Sequence, residues 1–301
     1  MILKPLKKPY ELQVFEALDS RFTFTQKEIS YFHNLKLGYE GEKTFEQLLR
    51  DSFNDDYLII SDIRLEVGTT SFQIDSILLT ADTLYFFDVK NLPGNYIHID
   101  KRWYKLPNKE VNNPLLQLKR SETLMRQVLQ ELHADIQIEC YDVFVNPEFT
   151  LYQAPMNKQL ILPTQLPQLM RDLATKPPAT ASQQLLAKQL IARDIGKYQY
   201  PKIPKYRYHQ FKKGFRCSKC YKLSVYIEGR NCICTNCQQM ESIQHALMRT
   251  VKELLLLFPD KKLTTNLIYD WCGKGYSKKS IQRFLDRNFQ KVGVRQWTYY
   301  K

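Results

Sequence analysis

The feature that most constrains the fold is a pair of Cys-x-x-Cys motifs in the C-terminal third of the chain. Cys217 and Cys220 form the first motif, Cys234 and Cys237 form the second, and thirteen residues separate the two. Two such motifs at this spacing are typical of a tetrahedral four-cysteine zinc site in a ribbon of short strands. Because four thiolates leave no open position for water, we expect the zinc ion to be structural.

The other cysteines leave one alternative for the ligand set. Cys232 lies two residues from Cys234 and could substitute for it, whereas Cys140 and Cys272 are expected to be ordinary buried thiols. Disulfides are disfavoured because nothing in the sequence indicates secretion. The N-terminal residues lack the apolar segment and cleavage site of a signal peptide, and no apolar run approaches the length of a membrane span. We therefore expect a soluble cytoplasmic protein without a membrane partner.

Charge is distributed unevenly along the chain. The net charge is +13 over 301 residues, but residues 195–301 contain 22 Lys and Arg against 6 Asp and Glu, whereas residues 1–194 contain 22 against 25. A basic excess concentrated in one third suggests a module that binds a polyanion, because each neutralised phosphate releases counterions. The alternative is a basic domain whose charge serves only solubility. No protein partner is indicated.

Proline-rich segments divide the chain. Residues 176–205 have the composition of a linker that contains a helix, and the main boundary is expected near residue 200. The expected organisation is an N-terminal extension (1–34), an α/β domain (35–175), this linker, a four-cysteine zinc ribbon (206–240) and a helical module (241–301).

Residues 35–175 have the periodicity of an α/β fold. The expected elements are a helix around 38–53, β-like runs at Tyr57–Glu66, Phe72–Thr80, Leu84–Lys90 and Tyr96–Ile99, a long helix around Leu115–Leu132 and a last β-like run at Tyr141–Val145. This order predicts a mixed sheet flanked by helices.

Two adjacent β-like runs place carboxylates and a lysine on one surface. Period-2 geometry puts Asp88 and Lys90 on the same face of their strand. If a tight turn is centred between Ala81 and Asp82, the numbers of paired residues sum to 163, and Asp75 lies opposite Asp88. Two facing carboxylates repel each other unless a cation lies between them. This register predicts a divalent-metal site, and an odd-length turn would remove the prediction.

A further carboxylate belongs to the preceding helix. At 100° per residue, Phe45, Leu49 and Phe53 fall within about 60° of Glu42, so Glu42 faces the core side. A carboxylate on a buried helix face is costly unless it is paired or bound to a metal. Each of these charges alone suits a surface salt bridge, but their combination favours one polar site at an edge of the sheet.

The ordered motifs GYEGE, QIDS, FFDVKN with LPGNY, and NNPLLQLKR resemble the nuclease-related domain (NERD) family of the PD-(D/E)xK nuclease superfamily. The resemblance covers residues 35–150 and implies a restriction-endonuclease-like mixed sheet flanked by helices. It implies these roles: Glu42 on the first helix, Asp75 as the first metal ligand, Asp88 as the acid of the pattern, Lys90 as its lysine and Gln117 as the family's glutamine. Position 88 is Asp, whereas Glu is commoner in the family.

Phosphodiester hydrolysis suits these residue types. Mg²⁺ or Mn²⁺ held by Asp75, Asp88 and the Val89 carbonyl would activate water and neutralise charge on the phosphate. Three side chains would assist: Lys90 by orienting the water or stabilising the developing charge, Glu42 by holding a second metal or a metal-bound water, and Gln117 by positioning the lysine, the water or the nucleic-acid backbone. One-metal and two-metal mechanisms both remain open.

The segment after the cysteines predicts a helix-turn-helix-like tail. Helices are expected at Ile243–Phe258, Leu263–Trp271 and Lys278–Phe289, with Ser277 as the last N-cap and Val292–Tyr300 as a strand-like, winged-helix-type addition. The outer face of the last helix would contact DNA through Lys279, Arg283 and Arg287, with Lys278 near phosphate. The alternative is a pair of helices that only packs.

Together these features predict a metal-dependent DNA nuclease whose zinc ribbon and helical tail provide DNA binding. Two alternatives remain open. One is a non-enzymatic DNA-binding or regulatory protein that uses a nuclease-like scaffold. The other is an RNA substrate, since zinc ribbons bind either nucleic acid.

Overall fold

The computed structural model describes residues 1–196 and 201–301, so the boundary predicted near residue 200 falls at residues outside the described ranges. The strands are β1 (Ile2–Lys4), β2 (Leu58–Val67), β3 (Thr70–Leu79), β4 (Thr83–Lys90), β5 (Gly94–Ile99), β6 (Arg102–Lys105), β7 (Lys109–Val111), β8 (Gln137–Phe144), β9 (Phe149–Tyr152), β10 (Leu160–Ile161), β11 (Val225–Glu228), β12 (Asn231–Cys234), β13 (Met240–Ser242), β14 (Lys291–Val292) and β15 (Tyr299–Tyr300). The helices are α1 (Tyr10–Leu18), α2 (Gln26–Ser52), α3 (Pro114–Glu131), α4 (Leu166–Ala174), α5 (Ala181–Ala192), α6 (Ile243–Leu257), α7 (Thr265–Trp271) and α8 (Lys278–Asn288). Among the described residues, no helix combines the length and the apolar character needed to cross a membrane.

The chain forms two compact units. The first comprises Met1–Pro9 and His33–Tyr200, and the second comprises Tyr10–Phe32 and Pro201–Lys301. Most of the segment predicted as an N-terminal extension therefore belongs to the unit that contains the C-terminal residues.

A six-stranded sheet in the order β1-β2-β3-β4-β8-β10 forms the centre of the first unit. Strands β2, β3 and β4 are antiparallel, whereas β4, β8 and β10 run parallel and β1 is parallel to β2. The parallel step from β4 to β8 requires a crossover, and α3 lies within it. The prediction of a mixed sheet flanked by helices is confirmed.

Helices cover both faces of this sheet. Leu118, Met125 and Val128 of α3 lie in the core on one face, and Phe45 and Leu49 of α2 lie in the core on the other. Helix α5 also joins the α3 side, where its buried side chains are Leu186, Ala187 and Leu190. The helix of the segment predicted as a linker therefore contributes to the core of the first unit.

A smaller sheet has the strand order β7-β6-β5-β9. Strands β5, β6 and β7 precede α3 in the chain, and β9 follows it. The turn between β5 and β6 helps to position the start of α3, because the Asn113 side chain donates from Nδ2 to the Lys101 carbonyl at 3.0 Å. The Oδ1 atom of Asn113 accepts from the Leu115 amide at 3.1 Å and caps the helix, with Pro114 in the first turn. Gln117 thereby occupies the first turn of a well-anchored helix.

The second unit contains the antiparallel sheet β11-β12-β13, the helices α6, α7 and α8, and the two-stranded pairing of β14 with β15. The predicted helices are present, with ends that differ by one or two residues. Helix α7 begins at Thr265 rather than Leu263 because Thr264 caps it, accepting from the Leu267 amide at 3.2 Å.

A buried ion cluster links the N-terminal segment to the rest of the second unit. Arg21 is fully buried, and its Nε donates to Glu253 Oε1 at 2.6 Å. Arg216 Nε lies 2.8 Å from the other oxygen of Glu253, and Trp271 Nε1 donates to Oε1 at 3.3 Å. These contacts join residues far apart in sequence, which explains why the sequence patterns gave no sign of them.

Candidate functional site

The β3–β4 hairpin has the register predicted from the sequence. Ser76 pairs with Phe87 and Leu79 pairs with Leu84, so the paired numbers sum to 163. The prediction of the register is confirmed over these pairs, which end one residue before Asp75 and Asp88, at the open end of the hairpin.

The backbone ladder changes at Asp75. Instead of a backbone pair, the Asp75 carboxylate accepts from the Val89 amide, with 2.8 Å between Oδ2 and N. Side-chain alternation also shifts here, because Ile74 and Ile77 both lie in the core on the α3 side although three positions separate them. This irregularity places the Asp75 carboxylate at the end of β4.

Lys90 lies directly beside Asp88. Its Nζ is 2.7 Å from Asp88 Oδ1 and 3.5 Å from Gln117 Oε1. Burial disfavours the ammonium, but the charge of Asp88 and its hydrogen bond outweigh burial and raise the pKa of Lys90. Lys90 is therefore protonated at neutral pH, and the structure brings it together with Asp88 and Gln117.

Glu42, on α2, belongs to the same electrostatic environment. Burial, followed by the charges of Asp75, Asp62 and Asp88, raises the pKa of Glu42 to about 9. Burial and the charge of Asp88 likewise raise the pKa of Asp75. Burial and the neighbouring carboxylates thus both favour the protonated forms of Glu42 and Asp75, and a bound cation would act in the opposite direction.

A close approach of α2 to the residue after β4 positions Glu42. A Cβ added to Gly41 would lie 2.5 Å from the Cβ of Asn91. Asn91 Nδ2 also donates to the Leu37 carbonyl at 2.8 Å. The glycine next to Glu42 therefore allows the helix to pack against the end of the strand that carries Asp88 and Lys90.

Sequence reasoning missed two aspartates at this site. Asp142, on β8, pairs in parallel register with Asp88 and is fully buried. Asp62 has a positive φ of 51° on β2, at the place where the β2–β3 pairing is interrupted opposite Asp75. The signal for Asp142 was a charged residue inside the β-like run Tyr141–Val145, whereas nothing local distinguished Asp62.

The donor set suits a hard divalent cation. Carboxylate and backbone carbonyl oxygens are the ligands that Mg²⁺ and Mn²⁺ prefer. Within the described residues, neither buried oxygen of Asp142 has a hydrogen-bond partner. Burial, followed by the charge of Asp88, raises the pKa of Asp142 to about 8. A bound cation would stabilise a buried carboxylate that has no hydrogen-bond donor.

Comparison with protein families agrees with this geometry. Residues 37–145 match the family model described as the nuclease-related domain. This segment is similar to the nuclease-related domain. The matched segment includes Glu42, Asp75, Asp88, Lys90 and Gln117, and it indicates a nuclease-like function. Comparison with curated proteins and with solved structures finds no match.

The four cysteines lie outside the nuclease-related domain and form one compact cluster. Their sulfur atoms all lie within 4.8 Å of one another. Cys217 Sγ is 3.6 Å from Cys237 Sγ, and Cys220 Sγ is 3.5 Å from Cys234 Sγ. This four-cysteine group could bind zinc. Cys232 is buried in the apolar core of the second unit and is not part of the cluster, which removes the alternative ligand.

The protonation of these thiols also suits a cation. Burial opposes ionisation of Cys234, but hydrogen bonds from Ser224 and from the backbone outweigh burial and lower its pKa to about 6. Although the Gln239 amide favours the thiolate of Cys237, burial and the neighbouring sulfurs raise the pKa of Cys237 to about 11. The cluster therefore retains a proton at neutral pH that a metal ion would displace.

The predicted DNA-contacting residues are exposed on α8. Ile281, Phe284 and Leu285 are buried, whereas the basic side chains are exposed: Lys278, Lys279, Arg283 and Arg287. The antiparallel pair β14–β15 follows the helix. Lys279, Arg283 and Arg287 stay the predicted DNA contacts on α8, and Lys278 Nζ lies 4.8 Å from the centroid of the Tyr269 ring.

Proposed function

We propose that the chain is a Mg²⁺- or Mn²⁺-dependent DNA nuclease of PD-(D/E)xK type. The observation that carries this proposal is the meeting of Asp75, Asp88 and Lys90 at the open end of one hairpin. The nuclease-related domain supports the reaction class, and the oxygen-rich donor set supports the divalent cation.

The residues divide the work of phosphodiester hydrolysis. Asp75, Asp88 and the Val89 carbonyl hold the cation. A bound Mg²⁺ or Mn²⁺ supplies Lewis-acid chemistry, which makes water nucleophilic and offsets charge on the phosphate. Because its pKa is raised, Lys90 acts as a charged donor to the phosphate or the water rather than as a base.

Two further residues support Lys90 and the carboxylates. Gln117 accepts from Lys90 through Oε1 and limits the orientations of the ammonium. Glu42 supplies a further carboxyl group beside Asp75, which suits a second cation or an ordered water. Gln117 is exposed, so it can also contact the nucleic-acid backbone.

The second unit provides substrate affinity and carries a structural metal ion. Zn²⁺ bound by the four cysteines stabilises the short strands β11–β13, and its complete ligand set leaves no position for a substrate. DNA binds to the basic face of α8, with Lys279, Arg283 and Arg287 as contacts and Lys278 near phosphate. This assignment uses the positive charge concentrated in residues 195–301.

The test is DNA cleavage by the full-length protein. Supercoiled plasmid and linear duplex are incubated with Mg²⁺, Mn²⁺ or EDTA, beside Asp75→Ala, Lys90→Ala and the control Glu139→Gln. We expect metal-dependent cutting by the wild type and the control, and at least a hundredfold loss in both site variants with DNA binding retained.

Other outcomes point to other functions. Binding without cutting under every metal condition would support a non-enzymatic DNA-binding protein on a nuclease-like scaffold. Cleavage of RNA but not of DNA, measured in parallel, would show that the substrate is RNA. Cutting by Lys90→Ala at the wild-type rate would contradict the role assigned to the lysine.

A further inference from the structure

Asp88 and Asp142 form an acidic row across two neighbouring strands of the main sheet. The parallel β4–β8 register pairs Asp88 with Asp142. Asp75 reaches the end of β4 from the neighbouring strand, where its carboxylate accepts from the Val89 amide. Neighbouring strands lie about 4.8 Å apart, so in-register side chains on one face are adjacent. The row extends the acidic group by one strand beyond the hairpin.

The side chains of Asp88 and Asp142 lie on the same face. On β4, Phe86 is buried on the α3 side, and period 2 places Asp88 with it. On β8, Cys140 is buried on the α3 side and Val143 on the opposite side, so Asp142 also faces α3. Both aspartates therefore face the side on which Lys90 contacts Gln117 of α3.

The surroundings of Asp142 are incomplete without a cation. The residue has 0% exposure, and within the described residues neither carboxylate oxygen accepts a hydrogen bond. A buried polar atom that lacks a partner costs about 1–3 kcal/mol, and more when it is charged. Lys90 does not remove this cost, because its ammonium contacts Asp88 and Gln117.

We propose that Asp142 is a further ligand of the divalent cation held at Asp88. This inference rests on the proposed nuclease function and adds a ligand from a strand that the sequence motifs do not include. The cation supplies the direct partner that the buried carboxylate oxygens lack.

Calorimetry tests the proposal by measuring the affinity of the zinc-loaded full-length protein for Mn²⁺ in the absence of nucleic acid. The variants are Asp142→Asn, which keeps the shape, Asp142→Val, which suits a β-strand, and Asp75→Asn. The control is Glu139→Gln, on the same strand but exposed. We expect Mn²⁺ affinity to fall at least tenfold in both Asp142 variants and in Asp75→Asn, with the control unchanged. Circular dichroism verifies that each variant is folded.

The outcomes separate this proposal from the proposed function. Mn²⁺ binding that is lost in Asp75→Asn but unchanged in both Asp142 variants would overturn the ligand role and leave the nuclease assignment intact. Absence of Mn²⁺ binding and of cleavage in the wild type would overturn both.

A measurement on the wild type does not depend on variant folding. In a Mn²⁺-soaked crystal, an anomalous peak within about 2.5 Å of an Asp142 oxygen is the expected result. A peak at Asp75 and Asp88 but more than about 4 Å from both Asp142 oxygens, beyond coordination distance, would overturn the proposal.

Discussion

Two glycines three residues apart in α2 have different surroundings. A Cβ at Gly41 would collide with the Asn91 side chain at 2.5 Å, whereas a Cβ at Gly38 would have no atom within 4 Å. Both positions are helical, so alanine lowers the conformational cost of folding at each by about 1 kcal/mol. The contact with Asn91 opposes this gain only at Gly41. The pair therefore separates helix propensity from packing at the site.

The first prediction compares Gly41→Ala with Gly38→Ala. Gly38→Ala should raise stability by about 1 kcal/mol and leave cleavage unchanged. Gly41→Ala should move α2 away from Asn91, displace Glu42 and lower the cleavage rate by at least tenfold. Thermal unfolding and plasmid cleavage measure the two effects. Equal activities of the two variants would show that the close approach does not position the site.

The second prediction concerns the buried ion cluster. Glu253→Gln leaves Arg21 and Arg216 without a negative partner, so unfolding free energy should fall by about 3–5 kcal/mol. Exposed Glu228→Gln, in the same unit, should change it by less than about 1 kcal/mol. Chemical denaturation measures both. A loss below about 1 kcal/mol in Glu253→Gln would contradict the structural importance of the cluster.

At the scale of elements, we expect the strands β11, β12 and β13 to depend on the four cysteines. The strands β11, β12 and β13 are three or four residues long, which is too short for stability without additional constraints. The cysteine cluster links the loops at their ends. A metal ion at this position would contribute directly to the folding free energy of the element.

The third prediction is that zinc is needed for this element to fold. Cys234→Ser should lose bound zinc and lower the thermal transition of the second unit, whereas Cys232→Ala should retain zinc despite some loss of packing. Elemental analysis gives the zinc content, and calorimetry gives the transition. Full zinc occupancy in Cys234→Ser would contradict the four-cysteine ligand set.

A strong chelator provides an independent test of the same element. Because the cluster retains a proton at neutral pH, zinc added back after chelation should release protons, and zinc should dissociate as the pH falls. Calorimetry in buffers of different ionisation enthalpy measures the released protons. Zinc uptake without proton release would be inconsistent with the raised pKa of Cys237.

At the scale of the whole molecule, positive charge is concentrated in the C-terminal third while the acidic row lies in the first unit. Under the proposed function, the acidic site binds a polyanion poorly by itself, and the basic surface supplies most of the affinity for DNA. A nuclease organised in this way would show binding and cleavage that respond to different substitutions.

The fourth prediction separates these two contributions. Replacing Lys279, Arg283 and Arg287 together with Gln should reduce the slope of log affinity against log salt by up to about 3. Fluorescence anisotropy with labelled duplex measures this slope. A matched control replaces the exposed residues Lys158, Arg171 and Lys188 of the first unit and should leave the slope nearly unchanged. Equal effects of the two triple variants would argue against α8 as the DNA surface.

The elements predicted correctly are those whose determinants are local. The hairpin register followed from the turn between Ala81 and Asp82, because an antiparallel pair joined by a tight turn has its register set within a few residues. The cysteine cluster followed from motif spacing, and α3 followed from its apolar periodicity with Pro114 at the start. In each case one short segment carries the whole signal.

Other features were decided by contacts between distant segments. Asp142 joins the acidic row only because β8 pairs in parallel with β4, and a parallel crossover does not set its register through a tight turn. Arg21 and Glu253 are paired because residues 10–32 fold with the C-terminal unit.

The sequence by itself thus determined the hairpin, the four-cysteine cluster and the nuclease-related motifs, since their geometry depends on local spacing. Only the tertiary structure decided the buried ion cluster and the third aspartate, because long-range packing and desolvation depend on which distant segments meet.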